Sequence, residues 1–80
     1  MGGISIVNNT SHDIYVSVTQ TGGDFGGAGS EKWFTLKADG GTDTWGSRND
    51  WQVIRFTRSQ KPGVLVETIL GIPGKTVNIY

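Results

Sequence analysis

The chain has eighty residues, enough for one small domain, with seven basic and seven acidic side chains, no cysteine and a single histidine, His12. That composition leaves no basic stripe for nucleic acid and no polybasic segment for an anionic membrane. It also excludes disulfides, thiolate zinc and a histidine-rich metal centre, and no apolar run approaches the roughly 20 residues that span a bilayer.

The opening "MGGISIVNN" lacks the charged and apolar regions of a signal peptide, and Ile6 stands where a myristoylation pattern needs Ser or Thr. Together with the missing cysteines this points to a cytoplasmic protein. Asn8 and Asn9 open formal N-x-[ST] sequons and are read as turn residues. A domain this small buries only about 60% of the surface its unfolded chain exposes. With disulfide and metal excluded, a homo-oligomer is the expected source of extra stability.

Isoleucine and valine together number fourteen and threonine nine, against three leucines and two alanines. β-branched side chains suit a pleated surface and are stiff in helices. Alternation with a period of two predicts strands at 3–8, 13–20, 31–37, 42–46, 51–58, 63–70 and 75–80. In the first two, Ile4, Ile6, Ile14, Val16 and Val18 face a core, leaving Tyr15, Ser17 and Thr19 outside. In the third, Phe34 and Leu36 point in, and Trp33 and Thr35 point out. In the fifth, either Ile54 and Phe56 are inside, with Trp51, Val53 and Arg55 outside, or a bulge buries Val53 as well. Val64, Val66 and Leu70 are matched to Val77 and Ile79 across "GIPG".

The connections carry turn chemistry. "NNTSH" is an Asn/Ser-rich bend and "ADGG" an Asp-Gly turn. "KPG" and "IPG" suit type II turns with φ > 0 at Gly63 and Gly74. Short strands so punctuated predict an all-β fold, a small antiparallel β-sandwich or barrel of six to seven short strands. The segment "TGGDFGGAGS" (21–30) breaks the rhythm. A loop of this length in a compact domain is functional or mobile, with Phe25 either pinning it to the core or packing on a partner or ligand.

Motif-like strings lack their companions. "DFG" (24–26) has no kinase catalytic loop, and "PGKT" (73–76) has Ile69 where a phosphate loop needs its first glycine. Ser11, His12 and Asp13 alternate across extended backbone and do not form a triad. No acid–base or nucleophile set is visible, so neither an enzyme nor a cofactor is expected.

The stretch "TDTWGSRNDW" (42–51) is the most chemical part of the chain. Asp43 and Trp45 share one face, "GSRND" turns the chain, and Trp51 opens the next strand. Both indoles would complete a core. They would equally suit a sugar, whose C–H face stacks on an indole and whose hydroxyls need fixed donors and acceptors such as Arg48, Asn49 and Asp50. The candidate ligand-binding set is Asp43, Trp45, Arg48, Asn49, Asp50 and Trp51, with Trp33 as a further outward indole.

The opening "ISIVNNTSHDIYVSVTQ", this aromatic–Arg–Asp turn and the ending "VETILGIPGKTVNIY" resemble the small, cysteine-free, signal-free β proteins of mushroom fruiting bodies, several of which are lectins. The resemblance implies a fungal β-sandwich lectin, some of which share their sandwich with actinoporin-like cytolysins. It carries no binding residue over. The leading expectation is a carbohydrate-binding protein, multivalent through oligomerisation, with glycans as partners. The alternative is a protein- or membrane-binding module, such as a subunit of a defence or pore-forming assembly, where membrane contact would come through exposed tryptophans.

Overall fold

The computed structural model describes residues 3–20 and 31–80, and over these it is all-β, with seven strands and no helix in two packed sheets. The strands are β1 (Ile4–Asn8), β2 (Ile14–Val18), β3 (Phe34–Leu36), β4 (Gly41–Trp45), β5 (Gln52–Thr57), β6 (Glu67–Gly71) and β7 (Thr76–Ile79). Each falls within or beside one of the seven expected segments. The readings placed on Phe25, on the glycine-rich segment and on "DFG" lie outside the described residues.

One sheet has the order β4-β1-β7 and the other β3-β2-β5-β6. All pairings are antiparallel except β1 with β7, which run parallel from Ser5↔Thr76 to Asn8↔Ile79. The core lies between the sheets. Ile4, Ile6, Ile14, Val16, Val18 and Ile54 are essentially inaccessible, and Leu36, Phe56, Trp45 and Ile79 close round them. The alternation expected for β1 and β2 is therefore present, and β5 takes the option with Ile54 and Phe56 inside.

Both Pro-Gly connections are type II turns. Lys75 N–H donates to Ile72 C=O (3.0 Å) and Val64 N–H to Lys61 C=O (3.3 Å). Gly74 (φ 83°) and Gly63 (φ 80°) hold the position that needs positive φ. Asp39 (φ 59°) and Gly40 (φ 100°) form the Asp-Gly turn into β4.

Three core assignments need correction. Val64, Val66 and Leu70 do not pack against Val77 and Ile79 as a hairpin, because β6 pairs with β5 and β7 with β1, so the "GIPG" turn crosses from one sheet to the other. The segment has apolar residues at both parities, and pairing with β5 selects the phase. Gly71 lies opposite Gln52 and Ile69 opposite Ile54, which leaves Val66 and Leu70 exposed. Phe34 does share the inner face with Val16, but β3 is a short edge strand and the ring stays 39% exposed. Ser17 points to the outer face yet is buried, because Arg55 and the Glu31 backbone cover it.

Asn8, at the end of β1, is also buried. Its Nδ2 donates to the carbonyls of His12 (2.8 Å) and Leu36 (3.0 Å), and its Oδ1 accepts from Thr10 N–H and Oγ1. The expected turn residue thus ties β1 to the start of β2 and the end of β3. Its four bonds use the whole capacity of the amide's two donor protons and much of its oxygen's. No helix among the described residues is long and apolar enough to cross a membrane.

Candidate functional site

The segment 42–51 divides between core and surface. Trp45 lies opposite Ile4 on the inner face of its sheet and is 7% exposed, with the Phe34 ring edge-on at 6.1 Å. Asp43 shares that side, opposite Ile6, but sits at the open edge, exposed, with Oδ1 accepting the Thr44 N–H at 2.8 Å.

Arg48 is buried at 1% exposure. Its Nε donates to Thr19 C=O and its Nη2 to Val18 C=O, both at 2.8 Å, while Nη1 reaches Ser47 Oγ at 2.7 Å. The carbonyl of Arg48 accepts the Gly3 N–H at 2.7 Å. The guanidinium fork therefore fastens the β4–β5 turn to the end of β2, and the Arg48 carbonyl ties it to the residue before β1. Carbonyl dipoles replace the water that a buried cation loses. Asn49 and Asp50 lie on the exposed part of this turn, and Trp51 is 65% exposed just before β5. Of the expected set, Trp45 and Arg48 face inward, whereas Asp43, Asn49, Asp50 and Trp51 are at the surface.

Trp33 belongs to a different place. It precedes β3 on the outer face of the four-stranded sheet and lines an open cleft of about 330 Å³. The floor is a row of cross-strand partners, Thr35 and Thr57 on either side of Tyr15. Ser59 and Gln60 after β5, and Val64 before β6, form one wall. The volume lies at the lower end of the range of ligand clefts, about 300–1,000 Å³.

Trp33 is held in position yet remains 48% exposed. The Arg55 guanidinium lies 5.7 Å from its ring centre. Arg55 Nη2 in turn donates to Ser17 Oγ (2.6 Å) and to Glu31 Oε1 (3.4 Å). Ser17 Oγ donates to Glu31 C=O (2.6 Å), and Glu31 Oε2 accepts the Gln20 N–H (3.2 Å). A cation–π contact backed by such a network fixes an aromatic platform before any ligand arrives.

Apart from Trp33, the cleft residues were absent from the set read from the sequence. The signal was nevertheless present. Alternation turns both Tyr15 and Trp33 out of the core, and two outward aromatics on adjacent strands of one sheet mark a face. Asp13, near the unused histidine, is structural. Its Oδ1 accepts the Ala38 N–H (3.0 Å) and Lys37 Nζ lies 3.3 Å from Oδ2, which together hold its carboxyl below the usual range. No protein-family model, curated protein or solved structure matches the chain, so the reading of the cleft rests on its geometry.

Proposed function

We propose that the protein is a carbohydrate-binding protein, a lectin, and that its site is the Trp33 cleft. The observation that carries this reading is an indole braced by Arg55 yet half exposed, at the rim of a cleft whose described lining is uncharged. The C–H face of a pyranose stacks on such a ring. The hydroxyls of Tyr15, Thr35, Thr57 and Ser59 and the carboxamide of Gln60 supply donors and acceptors of both kinds for a sugar's rim. With no carboxylate, lysine or histidine in that lining, the cleft suits binding of a neutral sugar rather than acid–base chemistry.

Binding to a glycan array before and after Trp33→Ala tests the proposal. Loss of the indole is expected to weaken binding at least tenfold, about 1.4 kcal/mol, with the circular dichroism spectrum retained because the ring is half exposed. Undiminished binding in a folded Trp33→Ala chain would remove the cleft from consideration. The second reading, a protein- or membrane-binding module of a defence or pore-forming assembly, draws on the exposure of Trp51. Dye release from glycan-free liposomes, lost in Trp51→Ala, would favour it.

A further inference from the structure

Among the described residues, the outer strand β6 has a neighbour on one side only, β5. Apart from Thr68, its exposed residues are apolar: Leu65 (74%) and Val66 (48%) lead into it, and Ile69 (38%) and Leu70 (52%) lie on it, beside Val53 (43%) of β5. Unpaired strand edges attract other strands, and proteins usually guard them with charge, proline or very short length. The other three edges carry such guards. β4 has Asp43 on its inner side, β3 is three residues long and lies between Lys32 and Lys37, and β7 opens beside Lys75. On β6 the one charge is Glu67, and Arg58 neutralises it through Nε (2.7 Å) and Nη2 (3.4 Å).

We propose that two copies of the chain pair through β6, antiparallel about a two-fold axis at Thr68, to make one continuous eight-stranded sheet. The register sets Val66 of one copy against Leu70 of the other and places no charge opposite a like charge. Leu65, Val66, Ile69 and Leu70 along this edge expose on the order of 350 Å² per copy, to be set against the roughly 800 Å² per partner in a stable interface. The unpaired strand backbone supplies the polar contacts that such an interface also needs. An axis normal to the sheet keeps both outer faces on one side. The two Trp33 clefts would then face the same way, roughly 25 Å apart at about 4.8 Å per strand. The pairing rests on the edge and not on the lectin reading, but it would make that site bivalent toward a single surface.

Light scattering of the wild-type chain at micromolar concentration is expected to give twice the chain mass of 8.6 kDa. Leu70→Lys is expected to give the single mass with the strand signal in circular dichroism retained. Since the chain has no cysteine, Thr68→Cys is expected to oxidise rapidly to a covalent dimer, whereas Thr42→Cys, on the opposite sheet, is not. If Leu70→Lys fails to fold, the cysteine pair decides. A wild-type chain at the single mass overturns the proposal, whether or not it binds liposomes or another protein. So does a dimer that survives folded Leu70→Lys, or equal cross-linking at both cysteines. Trp33→Ala is expected to leave the mass unchanged, so this proposal and the glycan reading fail separately. Loss of the dimer is expected to weaken binding to a glycan-coated surface ~100-fold while leaving affinity for a soluble monosaccharide unchanged.

Discussion

Trp45 and Trp51 are separated by one turn and by opposite surroundings, the first packed on Phe34 inside the sandwich and the second mostly in solvent. Trp45→Ala removes a buried indole and is expected to cost about 3–5 kcal/mol, a large part of the 5–15 kcal/mol that holds such a domain together. Trp51→Ala is expected to stay within about 0.5 kcal/mol of the parent. Urea titration of the two variants measures both. Asp13 supplies a pH signature. The Ala38 N–H and then Lys37 favour its ionised form in the fold, so its folded pKa lies below its unfolded value. Its contribution is therefore complete above the unfolded value and is lost as pH falls through the folded one. Asp13→Asn keeps an acceptor for Ala38 and removes the charge. Its melting temperature is expected to lie below the parent's near neutrality and to converge with it in strong acid, which a melting series across pH resolves.

At the level of strands and turns, most of the fold was legible. The strands fall in or beside segments marked by β-branched composition and turn punctuation, with clear period-two alternation in β1, β2 and β5, and both type II turns follow from Pro-Gly, because these signals are local. Gly74 hydrogen-bonds through its N–H to Gly3 C=O (2.8 Å) as well as holding φ 83°. Gly74→Val forces a β-branched residue into that conformation and is expected to cost about 1–2 kcal/mol or more. Thermal unfolding checks this, and a melting temperature at or above the parent's would contradict it. Strand partners were not legible. Leu65, Val66, Ile69 and Leu70 present apolar groups to both faces, so no local pattern could say that β6 joins β5, or that β7 lies alongside β1. Gly71 permits the crossing, since a Cβ there would lie 3.0 Å from Ile4 and 3.1 Å from Ile54.

For the whole molecule, the candidate site was harder to read than the fold because a cleft gathers residues distant in sequence. Tyr15, Trp33, Thr57 and Gln60 meet only once β2, β3 and β5 are laid side by side. The segment 42–51 looked like a site because it concentrates polar and aromatic types, yet its arginine is used to clamp backbone carbonyls of another strand. The parallel pairing of β1 with β7 governs how the molecule can assemble in time. Ser5 and Thr76 meet across about 70 intervening residues, and closing a long loop costs entropy before its contacts form. The four-stranded sheet can be completed from residues 14–71, but β1 lacks one flanking strand until β7 has been made. On a ribosome, the inward isoleucines of β1 would wait with one sheet edge open until the far end of this domain emerged. Its final folding step would then be set by the synthesis of β7 rather than by the speed of local turns.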